Sequence, residues 1–167
     1  MGYQVQAVVA ASDLLRRVAS DDPDMHVVEL AQGMALMPMT GVLHDRLTVL
    51  GHDDKLGFFM LPGGFAKTLA GWSADGAIAY VEADFFGGTG SQSAVVWQHG
   101  ALAFGPLHRP AGEQHAGEPS PISQALRHLG VRRGRHADEF AAAGLDRHRD
   151  HGGWLGEIGV RLPEDDW

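Results

Sequence analysis

Ala77–Phe104, AIAYVEADFFGGTGSQSAVVWQHGALAF, decides the fold: three β-rich runs are separated by a glycine-rich loop and by a His99-Gly100 turn. Glycine enters positive φ freely and histidine does so more readily than most residues, so both breaks read as hairpin turns. A two-residue loop at His99-Gly100 pairs Gln98 with Ala101, Trp97 with Leu102 and Val95 with Phe104. At the first break, a one-residue change in loop length sends every side chain to the other face. An odd loop, with Gly90 left-handed, collects Val81, Ala83, Phe85, Val95, Trp97, Leu102 and Phe104 on one face. The other face then carries Tyr80, Glu82, Asp84, Gln92 and Gln98, and this is the register the sequence predicts.

The remaining text supports a single α+β domain spanning residues 1–167. Its length suffices to bury a core without metal or disulfide staples, and 44% hydrophobic with 20% charged residues is ordinary globular composition. Absence of cysteine excludes disulfides, thiolate chemistry and Cys-based zinc sites. The formal charge of −8 and pI near 5.6 argue against a nucleic-acid partner and for a protein partner with a basic surface. No run approaches the roughly 18 apolar residues of a membrane span and no signal peptide is visible, so the expectation is a cytoplasmic protein without a membrane role. Eleven of the thirteen basic residues are Arg, a bias that fits a GC-rich bacterial source.

In chain order, Tyr3–Val9 reads as a strand and Ser12 as the cap of a short helix. Residues 25–30 and 34–39 read as a hairpin turned at Gly33, with four of the six methionines filling gaps in the core. Thr40 caps a helix carrying Leu43 and Leu47, residues 57–61 read as a strand, and Phe65–Trp72 as a helix. Residues 106–120 read as a Pro/Gly-rich surface loop. Ser120-Pro121 then opens the clearest helix, with Ile122, Ala125, Leu126 and Leu129 on one face. The C-terminal segment, 121–167, is predicted to pack on the sheet, with a smaller helix near 137–143 and a last strand at 158–162. The predicted architecture is a mostly antiparallel twisted sheet of about six or seven strands with helices on one face.

Glu82 and Asp84, two apart on one strand, project from the same face about 7 Å apart. With Gln92 and Gln98 they form the candidate partner- or ligand-binding site. Their other use is to hold a cation or act as an acid/base pair. His148 and His151, with Asp146 and Asp150, form the densest group of metal-ligand types. The Gly87-Gly88-Thr89-Gly90 loop lacks the following helix and the lysine of a phosphate cradle. His44-Asp45 and His52-Asp53 lack the further ligands a metal-dependent phosphohydrolase needs. The G-x-S-x-G pattern is absent, Ser73 in GWSADG being nearest to it. Arg127, Arg132, Arg133 and Arg135 form the one local basic cluster, of a kind that grips an acidic protein or a phosphate, though a solvated helix end explains Arg127 to Arg133 without a ligand. The pattern as a whole points to a non-enzymatic interaction protein that binds or neutralises a protein partner, immunity-like in character, with no cofactor. The other class is a metal-assisted hydrolase or small-ligand enzyme built on the carboxylates or histidines.

Overall fold

The structure is a computed structural model that describes residues 2–87, 89–113 and 117–163. Gly88, residues 114–116 of the proline-rich segment and the last four residues of the acidic tail lie outside it.

One six-stranded antiparallel sheet, in the order β2-β3-β1-β4-β5-β6, organises the chain. Its strands are β1 (Gly2–Ala11), β2 (Val28–Glu29), β3 (Met34–Pro38), β4 (Ile78–Phe86), β5 (Thr89–Gln98) and β6 (Ala101–Arg109). The helices are α1 (Ser12–Ala19), α2 (Gly41–Leu47), α3 (Phe65–Trp72), α4 (Pro121–His128), α5 (Glu139–Ala143) and α6 (His151–Glu157). The α+β class and the antiparallel sheet are as the sequence predicts. The layering is not: helices lie on both faces.

On the back face, Val5, Ala7, Val9, Ala79, Val81, Ala83, Ala94 and Val96 pack against Ile122 and Leu126 of α4, Ala142 of α5 and Trp154 of α6. On the front face, Val8, Ala10, Ile78, Tyr80, Val95 and Trp97 pack against Leu14 and Leu15 of α1, Leu43 of α2, Leu69 of α3 and the Phe58–Leu61 segment. The central strands are therefore apolar on both sides, a near-continuous run rather than an alternation. That continuity is why the faces could not be told apart by hydrophobicity.

The first hairpin has an even loop. Phe86 pairs with Thr89, Tyr80 with Val95 and Glu82 with Ser93. Gly90 is not left-handed; a Cβ there would lie 2.2 Å from the Asp84 carbonyl oxygen, so glycine is needed for close approach and not for φ. The second turn is as predicted, with His99 at φ 55° and Gly100 at φ 79°. Beyond Trp97–Leu102, two one-residue shifts change the register, so Val96 rather than Val95 faces Phe104.

Residues 106–109, expected in a loop, are the end of β6. Residues 57–61 and 158–162 are irregular and not strands. Ser12 does not cap α1; its hydroxyl donates to Glu29 Oε2 at 2.6 Å. Thr40 and Ser120 do cap α2 and α4, accepting from Leu43 N and Ser123 N. Pro121 opens α4 as expected. Met37 and Met39 are fully buried.

Candidate functional site

Glu82 and Asp84 share the front face, as their spacing requires, but the even loop places Gln92 and Gln98 on the back-face parity. The four predicted residues therefore do not form one surface. Glu82 is buried, and its carboxylate accepts from Phe59 N at 2.7 Å, Met60 N at 2.6 Å and the Tyr80 hydroxyl at 2.7 Å. It fastens the irregular 55–61 segment to the sheet. Gln92 accepts from Ile122 N at 3.0 Å and so holds the first turn of α4 on the back face, while Gln98 is exposed at the distal hairpin.

The two histidines also separate. His151, at the start of α6, is buried with Nε2 at 3.1 Å from both Gln6 N and Gln6 O, closing the free edge of β1. His148 sets its ring against Trp154, centroids 4.9 Å apart, with Nε2 at 3.6 Å from Glu157. Among the described residues no three His, Asp or Glu side chains group as metal ligands. The His44-Asp45 doublet is a contact between neighbours at 3.2 Å, and Arg127 of the basic cluster pairs with buried Glu139 at 2.5 Å. Ser73 is buried, its hydroxyl donating to Ala70 O at 2.6 Å.

What the geometry does assemble lies on the front face where helix cover stops. Three rungs run across the strands: Gln6–Glu82–Ser93–His108, then Gln4–Asp84–Ser91, then Gly2–Phe86–Thr89. The innermost rung is roofed by the 55–61 segment. His108 Nε2 lies 2.8 Å from the carbonyl oxygen of Leu56, and its Nδ1 lies 2.7 Å from Ser93 Oγ. Phe58 packs edge-on against both Tyr80 and His108, at 5.1 and 5.0 Å between centroids. Burial, reinforced by the Glu82 charge, pushes the Tyr80 phenol well above its usual range, so it stays a neutral donor.

The outer two rungs are open. Asp84 is exposed, Phe86 is 76% exposed and Phe59, at the lip of the roof, is 70% exposed. A cleft of about 280 Å³ runs from this strip around the end of β1, lined by Gln4, Asp84, Phe86, Arg149 and Asp150 among others. Comparison with protein-family models, with curated proteins and with solved structures found no match for the chain.

Sequence reading found Glu82 and Asp84 and missed Phe59, Phe86, Ser93 and His108. Strand parity could have placed Phe86 beside Asp84. Gly105-Pro106 inside β6 signals a bulge, but nothing in the sequence fixes the two shifts that bring His108 to Ser93.

Proposed function

We propose that this protein acts by binding a protein partner through the open end of the front face, with a basic side chain of the partner on Asp84 and apolar groups against Phe59 and Phe86. One observation carries the reading: at the open end of the front face an exposed carboxylate, Asp84, lies one rung from the mostly exposed Phe86 and one rung from Glu82, which holds the backbone of the mostly exposed Phe59. Aromatic residues that anchor an interface and a charge that selects the partner are the usual division of labour at a binding surface. The overall charge of −8 favours encounter with a basic surface, which is the behaviour expected of an immunity-type neutralising protein. An immunity role further expects a toxin-like reading frame beside this gene.

Site-specific photo-crosslinking in the source cell tests the reading. A benzophenone side chain at position 86 is expected to trap a discrete protein adduct, whereas the same group at position 102, an exposed β6 site (Leu102, 52% exposed), is not. Asp84→Lys is expected to abolish the adduct while leaving the thermal transition unchanged. Equal adducts from both positions, or an adduct indifferent to the charge at 84, would remove the proposal.

A further inference from the structure

We propose that Ser93 and His108 form a nucleophile–base pair able to cleave small carboxylic esters, an activity beyond the binding role and resting on separate observations. The tautomer of His108 is dictated by its partners. A carbonyl oxygen can only accept, so the contact with Leu56 O at 2.8 Å requires the proton on Nε2. In the neutral ring Nδ1 is then the bare lone pair, and the Ser93 hydroxyl, 2.7 Å away, donates into it. That is a hydroxyl held against a neutral imidazole whose orientation is fixed by a third group, the arrangement by which a serine is activated.

The surroundings are built to hold the imidazole in place. Leu56 at φ 52° and Gly57 at φ 84° form a tight turn closed by Phe58 N donating to Lys55 O at 2.9 Å. A leucine in the left-handed region is uncommon, and here it aims its carbonyl at His108. At Gly57 any Cβ would stand 2.8 Å from His108 Nε2, so only glycine lets the turn close on the ring. Phe58 covers one side of the ring at 5.0 Å.

The Ser93 contact fixes the His108 tautomer that donates to Leu56, so one hydroxyl both steadies the loop and stands ready against the imidazole. Ser93 is half-buried and His108 exposed. The hydroxyl sits one rung, about 7 Å, inside the Asp84–Ser91 rung that opens to solvent.

In the reaction, Ser93 Oγ bonds to the ester carbonyl carbon as its proton passes to His108 Nδ1. The carbon–alkoxide bond then breaks and the imidazolium returns the proton to the departing alkoxide, which leaves as an alcohol. Water adds to the acyl-serine with the same relay, and the carboxylic acid leaves with serine restored. No oxidant, metal or cofactor enters the balance.

The test treats the intact protein with a fluorophosphonate, maps the modified residue by peptide mass spectrometry, and follows hydrolysis of an aryl acetate in parallel. Ser93 is expected to carry the label. Ser93→Ala is expected to lose both label and turnover, and His108→Gln to slow labelling on the order of 100-fold, the lower range for loss of a general base. Far-UV circular dichroism and the thermal transition establish that each variant is folded. Wild-type protein left unlabelled at Ser93, turnover that survives Ser93→Ala, or labelling undiminished in folded His108→Gln would each overturn the pair. The unmodified chain supplies the first of these results without any variant.

Discussion

The two faces of the sheet are covered by different means. Helices α4–α6 close the back face, and a helix satisfies all but its end groups internally, so the strands beneath present mostly apolar side chains such as Val81, Ala94 and Val96, with Gln92 taking the Ile122 amide at the start of α4. On the front face the cover near β4–β6 is the irregular 55–61 segment, whose peptide groups have no ladder of their own. The strands beneath must supply partners for them, because an unpaired buried peptide group costs about 1–3 kcal/mol. Glu82 takes the Phe59 and Met60 amides and His108 takes the Leu56 carbonyl. A polar row in the middle of a sheet is thus what a loop roof demands, and it is also what leaves chemistry at that end.

The widest gap between the faces appears on truncating their anchors. Trp154 is fully buried in the back core, with the Arg147 guanidinium carbon 5.0 Å from its ring centroid. Trp154→Ala is expected to cost about 3–5 kcal/mol and to lower protection of amides on every central strand in hydrogen exchange. Protection lost only locally around α6 would mean that the back face is not one cooperative unit.

Glu82→Ala should differ in kind. It strands the buried Met60 amide, the half-buried Phe59 amide and the Tyr80 hydroxyl, at a cost of about 2–4 kcal/mol, yet the damage should centre on the roof. The amides of Phe59 and Met60 are expected to exchange far faster while Val81 and Val96 on the back face keep most of their protection. Equal loosening of both faces would erase the distinction between helical and loop cover.

The same distinction explains what the sequence discloses. Helix α4 announces itself through Ser120, Pro121 and the spacing of Ile122, Ala125 and Leu126, all local signals, and the structure keeps each of them. The His99-Gly100 turn is equally local. The register of β4 against β5 is a non-local fact, normally set by which face is apolar. With both faces covered, Val81 and Val95 are buried on opposite sides, so the choice that joined them on one face rested on a contrast the fold does not have. That slip carried Gln92 and Gln98 into the wrong company. Glu82 and Asp84 stayed together because parity within one strand survives any register. Ser93 and His108 lay beyond reach for a second reason: an undisturbed hairpin would set Ser93 opposite Pro106, and only the two bulges carry it to His108.

The finest comparison uses the two tyrosines of the chain, one on each face. Tyr3 donates to Leu145 O at 2.8 Å on the back face, and Tyr80 donates to Glu82 on the front. Burial first, then a neighbouring carboxylate, raises both phenols above the ordinary value of 10.0, the neighbours being Asp146 for Tyr3 and Glu82 for Tyr80. A phenol whose folded value is raised leaves stability intact below pH 10. As pH climbs from there toward the folded value, the unfolded chain releases a proton that the folded one keeps, and stability falls. Each tyrosine can contribute a slope of about 1.4 kcal/mol per pH unit in that window. Denaturant titrations at pH 9 and 11 are expected to show Tyr3→Phe and Tyr80→Phe each removing part of the alkaline loss. Tyr80→Phe should also cost about 1–2 kcal/mol at pH 7, because it takes a donor from a buried carboxylate, whereas Tyr3→Phe gives up a neutral bond worth about 1 kcal/mol. An identical neutral-pH cost for the two would show that the charged acceptor under the loop roof is no stronger a tie than a carbonyl under helices.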